Sequence, residues 1–374
     1  MIKKKNLFYV TYQNFPADTA NSLQTISNIK YFVRNNINVT LFFPLREAGS
    51  SDNLSIIQNK YSIKENFKVT GINHNLPFGK LNFFNKFFFL ISHYLWSKNT
   101  VSNLLKNYKE PDLFITRSDW VFYFLSKNKK NVIFECHQYS KIRKLLLSKS
   151  LKNEKSKIIF LNENLKNDYT NQEDIRGKSI VLHNAVDFDL FDEKMTKNKN
   201  EIIFIGKLTR FNESRNIDFI IKSIIKSSNN FKFKIIGASE EEKVKISKLL
   251  SSIKSKEDIK VLGRLNRKST IEEIKKAEIG LLINSDKNEH STKYTSPLKY
   301  FEYLAAGLKI LAVDFDSHRK LPFSDNIIFF QDKDFESFKL ALNKVPDYEQ
   351  KKASSLKEIS LDKRVKNIIK FSGI

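Results

Sequence analysis

Only one cysteine, Cys136, occurs in the 374 residues, so no internal disulfide can form and a reducing compartment is expected. Long apolar runs are missing as well. The best, Phe83 to Trp96, is broken by Lys86 and His93 and falls short of the roughly 20 residues that span a bilayer. The opening, MIKKKNLFYVTYQ, has a basic head, but its apolar part is short and carries Tyr and Gln. It reads as a first strand rather than a signal peptide, and the expected location is the cytoplasm. His and Cys never cluster with the spacing of metal ligands, and no Asp-x-Asp is expected at a strand end. No short-period repeat or low-complexity tail is present. Acidic residues are scarce too: 41 Asp and Glu face 65 Lys and Arg, for a net charge of +24. That excess has two readings. One is attraction to an anionic surface such as lipid headgroups, a phosphorylated glycan or nucleic acid. The other is A+T-rich coding, which fills a chain with Lys, Asn, Ile and Phe. The lysines are scattered, and they cluster most in Gly79–Lys109, where Phe, Leu and Trp mix with Lys in a helical stretch. Such a stretch suits a membrane interface or a buried core helix.

What the chain does have is a regular alternation of β-rich runs and helical patterns. Asn6–Tyr12 and Val39–Leu45 flank a helix from about Ser22 to Arg34, which makes a βαβ unit. Asp112–Ser118, Asn131–His137, Lys157–Glu163 and Ser179–Asp187 follow as further β-rich runs. After a polar stretch, Glu193–Asn200, the pattern restarts with Glu201–Leu208 and runs through Phe231–Ala238, Ile259–Leu265, Ile279–Ser285 and Leu308–Asp314. Two successive β/α sets argue for two doubly wound α/β domains facing a cleft. The expected boundaries are 1–195 and 196–354, with a C-terminal helix at about 355–374.

The densest phrase is NSDKNEHSTKYTSPLKYFEYLAAGLKILAVD, ending at Asp314. It reads as a polar loop, a short helix opened by Ser296-Pro297, a Gly307 stop and a buried strand. Ser296 suits the N-cap and Pro297 the first helical position. Leu298, Phe301, Leu304 and Ala305 share an apolar face, while Lys299 and Glu302 stand one turn apart on another. A helix start offers free N–H groups and a positive dipole to an anion, and Lys299 adds a full charge. Upstream, FIGKLTRFNESRNIDFII puts Gly206 at a strand end, followed by Lys207, Arg210 and Arg215. VLGRL carries Gly263, Arg264 and Leu265; VLHNAVDFDLF carries Asn184 and Asp187; and FECHQYS places Glu135 and His137 at another strand end.

In that order, these phrases resemble the family 4 glycosyltransferases across nearly the whole chain. The resemblance implies a GT-B fold: two Rossmann-like domains, the first binding acceptor and the second a nucleotide-sugar donor, with the last helix crossing back onto the first. It implies a retaining, metal-independent hexosyltransferase with no cofactor, the nucleotide-sugar being a substrate. Lys207 and Arg215 would clamp the donor diphosphate, with Arg210 in reserve, since Lys207 stands where Arg is usual. Gly206, Ser296, Leu298 and Lys299 would hold the pyrophosphate, Glu302 the ribose, and backbone at Gly263 and Leu265 the base. His137 would meet the transferred sugar near its reacting carbon, with Glu135 as helper or rival. Asn184 and Asp187 take a structural role at the domain junction. Two departures stand out. The first βα turn, Gln13–Ile26, lacks the usual glycines, leaving Asn21 and Ser22 to cap the helix and face acceptor. Tyr294 stands where many members have a Glu that contacts the donor sugar, so sugar identity is not set. Family resemblance also makes a glycan or lipid-linked acceptor in bacterial surface polysaccharide assembly the leading expectation, with salt-sensitive docking to an anionic membrane face through Leu81–Lys98. Two rivals remain open: a GT-B nucleotide-sugar epimerase, which needs extra acid/base carboxylates, and a basic nucleic-acid-binding protein, for which no recognition module is seen.

Overall fold

The computed structural model describes residues 4–46, 49–74, 76, 85–169, 175, 177–193, 195–210, 213–227, 230–253, 258–349 and 356–374. Gly79–Phe84, Lys194 and Ser355, which enter the expectations above, lie outside them. Contacts divide the chain into two units, residues 1–182 with 361–374, and residues 183–360.

The first unit holds β1 (Lys5–Val10), β2 (Ile37–Leu45), β3 (Lys68–Asn73), β4 (Leu113–Thr116), β5 (Val132–Cys136), β6 (Ser156–Phe160) and β7 (Ser179–Val181). All are parallel, in the order β3-β2-β1-β4-β5-β6-β7. Its helices are α1 (Ala20–Arg34), α2 (Leu54–Tyr61), α3 (Asn85–Asn107), α4 (Asp119–Lys127), α5 (Lys141–Ser150), α6 (Glu163–Tyr169) and, from the chain end, a helix over Leu361–Ser372. The central strands β4 and β5 are buried at every residue, as a parallel sheet covered on both faces requires. At the start of α1 the cap is Thr19, not Asn21 or Ser22. Thr19 Oγ1 accepts from the Ser22 N–H at 3.0 Å, and Ser22 Oγ accepts from the Thr19 N–H at 3.2 Å. This reciprocal box satisfies two orphan donors at once, which is why it wins over a cap two residues later.

The second unit repeats the plan with β8 (Asn198–Ile205), a small hairpin β9 (Thr209–Arg210) and β10 (Glu213–Ser214), then β11 (Lys232–Ile236), β12 (Ile259–Leu262), β13 (Ala277–Leu282), β14 (Lys309–Val313) and β15 (Ile327–Phe330). Its main sheet is parallel and ordered β12-β11-β8-β13-β14-β15. Counted within the unit that is 3-2-1-4-5-6, the dinucleotide-binding order, with the reversal between β8 and β13. Helices α7 (Ile217–Ser227), α8 (Glu240–Ile253), α9 (Arg267–Lys276), α10 (Leu298–Ala305), α11 (Asp316–Arg319) and α12 (Phe335–Lys344) complete it, so the chain-end helix is α13. Alternation along β8 builds both cores. Ile202 and Phe204 pack with Ile220, Ile224 and Phe338, while Ile203 packs with Tyr300, Phe301 and Ile274. Gly280 in β13 admits α10 to the sheet: a Cβ there would lie 2.4 Å from the Tyr303 ring.

Candidate functional site

In open doubly wound sheets, ligands gather outside the strand C-termini at the point where strand order reverses. In the second unit that place is the end of β8. Gly206 takes φ +131°, and its N–H donates to the Ile236 carbonyl at 2.8 Å. The loop after β11 closes on it so tightly that a Cβ at Gly237 (φ +107°) would lie 3.0 Å from the Gly206 oxygen. Glycine is needed at both places, for the backbone conformation and for the close approach. The β9–β10 hairpin then brings the chain back, and the Arg215 N–H donates to the Leu208 carbonyl at 2.9 Å. The guanidinium is thereby laid against Gly206, with Nη1 3.1 Å from where a Cβ would stand.

Arg215 is 8% exposed, and its Nε is buried with no hydrogen-bond partner among the described residues. No carboxylate meets it there. From the other side comes Lys299, in the first turn of α10. Its ammonium donates to the Ile205 carbonyl at 3.2 Å and lies 4.2 Å from the centre of the Phe204 ring. Burial pushes the Lys299 pKa well down; Arg215 and Arg210 push it further, and only Glu302 opposes them. Arg215 is lowered to about 10, by burial first and then by Arg210. Burial also lowers Arg210, whose Nη2 lies 3.5 Å from His290 Nε2. His290, in a single π-helical turn (His290–Tyr294), is held near 4 by burial and by Arg210. Three cations thus sense one another in a partly desolvated place. Bringing cations together in such a place costs stability, and an anion offsets that cost.

The flanking residues are tied down. Glu302 is buried and paired with Arg267 of α9 at 2.6 Å. Ser296 does not cap α10. Its hydroxyl accepts from the Asn184 N–H at 3.1 Å, its carbonyl accepts from the Asn184 amide, and the cap position falls to Pro297 in extended conformation. The helix therefore begins at Leu298 without a side-chain cap, which leaves the Leu298 and Lys299 N–H groups at an open N-terminus. Gly263 and Leu265 follow β12: the Gly263 carbonyl accepts from the Gly237 N–H at 3.1 Å, and Leu265 packs half-buried against the core. Lys207 is exposed, and the coupled group consists of Arg210, Arg215 and Lys299. Tyr294 is buried, with its hydroxyl 3.3 Å from Glu289.

Against expectation, Asp-x-Asp pairs do stand at strand ends: Asp314 and Asp316 after β14, and Asp332 and Asp334 after β15. Asp332 accepts from Asn216 Nδ2 at 3.0 Å, and a third pair, Asp187 and Asp189, lies further beyond β7. Asp314 is bound by Arg319 Nη2 at 2.6 Å and Asp316 by Lys320 at 3.0 Å. Asp187 accepts from the Asp189 N–H at 3.3 Å. No group of three or more His, Cys, Asp or Glu among the described residues could hold a metal ion.

In the first unit, His137 follows β5 half-buried, its Nε2 4.0 Å from Glu135. Glu135 is no free acid: it is paired with Arg364 of α13 and accepts from the Tyr9 hydroxyl at 3.1 Å. Burial opposes its ionisation, but Arg364 and Arg117 hold its pKa below the usual range. Ser22 spends its hydroxyl on Ala17 and Thr19, and the Asn21 carbonyl lies 3.5 Å from Arg117. A second group at these strand ends went unread in the sequence. Tyr12 hydroxyl, Ser92 Oγ and His74 Nε2 bond mutually at 2.6, 2.7 and 3.3 Å, and Arg46 lies over the Tyr12 ring at 4.3 Å. Beside them, His93 Nε2 is 2.6 Å from Ser118 Oγ and its Nδ1 is 3.9 Å from Asp119. This order resembles a hydrolase triad, but Ser118 is 3% exposed and caps α4, and Asp119 is bound by Arg143 at 3.1 Å. It is an internal brace. No local pattern marks the cluster, because Tyr12 and Ser92 are 80 residues apart.

Residues 199–345 match the family described as Glycosyl transferases group 1. No curated protein sequence is similar enough to match the chain. Among solved structures, Anabaena HepE in complex with UDP is 9% identical, with a TM-score of 0.67 over 99% of this chain and 100% of that one. The catalytic domain of Arabidopsis thaliana starch synthase IV, bound to ADP and acarbose, is 10% identical at 0.68, over 99% of each chain. An E. coli structure described as trehalose-6-phosphate bound with UDP-2-fluoro glucose is 10% identical at 0.69, again over 99% of each. At such identities the likeness speaks for the fold. The chain has the GT-B fold, and the match of residues 199–345 to group 1 glycosyl transferases supports the glycosyltransferase class.

Proposed function

We propose that the protein is a retaining, metal-independent glycosyltransferase that moves a sugar from a nucleotide-sugar donor to a glycan or lipid-linked acceptor. The observation that carries this reading is the buried pair of cations Arg215 and Lys299 at the β8 end, with Arg210 beside them. Buried positive charge of this kind is matched to a diphosphate, and it acts most strongly when the bond from sugar to phosphate breaks and negative charge grows on the leaving group. The open start of α10 adds N–H donors. Glu302, oriented by Arg267, accepts from ribose hydroxyls, and backbone near Gly263 and Leu265 receives the base. His137 serves the sugar near its reacting carbon, a role that rests on resemblance. Solved GT-B neighbours hold UDP, ADP or a UDP-sugar analogue, in keeping with such a donor. An epimerase would need spare carboxylates, whereas Glu302 and Asp314 are both ion-paired.

The first unit is the acceptor domain in this reading. The acceptor belongs to bacterial surface polysaccharide assembly, reached from the cytoplasmic membrane face by peripheral attachment. No helix among the described residues is long and apolar enough to cross a membrane. The decisive experiment is calorimetric titration with UDP, ADP, GDP and their sugar conjugates, followed by product analysis with the donor that binds. Binding to one nucleoside diphosphate with release of that diphosphate on transfer is the expected result. Failure to bind any of them would overturn the reading.

A further inference from the structure

We infer that α3, α4 and α5 together form a face that seats on an anionic lipid bilayer. This deepens the peripheral-attachment reading by naming its surface, and it does not depend on the chemistry assigned to the second unit. Large apolar side chains are exposed unevenly over the protein. Phe87 (61%), Phe88, Leu90, Ile91 and Leu95 all lie on the first half of α3. Ile142 and Leu145, at 55% and 56%, stand on α5. Helix α4 packs against both. It joins them with half-buried aromatic rings: Trp120 lies 4.9 Å from Tyr94 of α3 and 6.1 Å from Tyr123. Large exposed apolar side chains gathered on neighbouring helices mark an interaction site, and Trp with Tyr beside aliphatic groups suits the depth of lipid headgroups.

Charge selects the partner. The three helices contain one acidic residue, Asp119, against eight Lys and Arg, and Asp119 is neutralised by Arg143. Lys98, Lys141 and Lys144 are exposed at the edges of the apolar ridge. Basic residues rimming apolar ones fit an anionic headgroup layer over an acyl interior. Helix α5 begins shortly after the C-terminus of β5, and Ser92 of α3 bonds Tyr12 beyond the end of β1, so the face borders the sheet edge where open α/β sheets take ligands. A lipid-borne acceptor would arrive at that edge.

The test uses the full chain with vesicles of phosphatidylcholine alone or mixed with phosphatidylglycerol. Trp120 is an internal reporter, since Trp96 is 2% exposed and already shielded. The wild type should co-sediment with the anionic vesicles at low salt, with a blue shift in tryptophan emission that Trp120→Phe abolishes. Phe87→Ser with Ile91→Ser should weaken binding at least about ten-fold, and Lys98→Gln with Lys141→Gln about thirty-fold. Far-ultraviolet dichroism checks that each variant is folded. Vesicle binding by the wild type that survives both double variants would overturn this surface while leaving peripheral attachment intact. No binding by the wild type would remove both. A lipid-independent dimer dispersed by Phe87→Ser with Ile91→Ser would reassign the face to a second copy of the chain.

Discussion

The two units share one strand order yet treat buried charge in opposite ways. In the first, the strand ends close on themselves: Arg364 meets Glu135, Arg143 meets Asp119, and Tyr12, Ser92 and His74 bond to one another. In the second, Arg215 and Lys299 are drawn in with no carboxylate among the described residues bonded to either. A fold can tolerate buried ions when they are paired, whereas unpaired ones are retained at a cost in stability. The contrast separates a region built to hold shape from one that, in the proposed function, receives an anion, although the second sheet repeats the order of the first without its seventh strand.

The contrast breaks most sharply under parallel substitutions. Arg364→Met strips the buried Glu135 of its ion-pair partner, and should destabilise the fold by about 3–5 kcal/mol. Arg215→Met removes an uncompensated cation and should leave the ligand-free protein as stable or more stable, while nucleoside diphosphate affinity falls. Denaturant midpoints of both variants decide it; equal destabilisation would end the comparison. Turnover comes next. Arg215→Ala should cost about 2–4 kcal/mol of transition-state stabilisation. Lys207→Ala, at an exposed position, should cost less, so equal losses in kcat/KM would restore Lys207 to the clamp. Glu302→Gln should weaken nucleoside diphosphate binding by about 1–3 kcal/mol with the fold retained, because one charged acceptor is lost. Unaltered calorimetric affinity would remove Glu302 from the ribose site.

The smallest effect concerns acid. Burial holds His93, His290 and His318 near 4 in the folded protein, against about 6.5 unfolded. Between those values the unfolded chain binds protons that the folded one refuses. Their contribution to stability is therefore full above about pH 6.5 and falls as pH drops toward 4. A bound diphosphate near Arg210 should ease protonation of His290 alone and flatten that slope slightly. Thermal melts from pH 7 to 4, with and without UDP, measure it; a slope unchanged by bound UDP would place His290 away from the anion.

Much of the plan was legible because parallel strands buried on both faces read as apolar runs, and Gly206 at a strand end announced a close backbone approach. The α10 phrase was legible as a helix stopped by Gly307 for the same local reasons. Ser296 misled because a good capping residue was claimed by Asn184, 112 positions away in sequence. Arg210 outranks Lys207 in the cation group only because the hairpin after β8 turns one inward and leaves the other in solvent. The Arg267 partner of Glu302 and the Tyr12–Ser92–His74 group rest on long-range meetings with no periodic trace.

The seating of α10 on the sheet has a consequence for how errors propagate. The Tyr303 ring occupies the space that a methyl on Gly280 would need, 2.4 Å from that position, and this sets the angle at which the helix is indexed about its own axis. An α-helix advances about 100° per residue, so a small twist at Tyr303 carries Lys299 and Glu302 through the same arc. The contacts assigned to phosphate and to ribose would then slip in unison. Gly280→Ala should accordingly be epistatic to substitutions at both, its penalty shrinking when either contact has already been removed, although residue 280 itself touches neither.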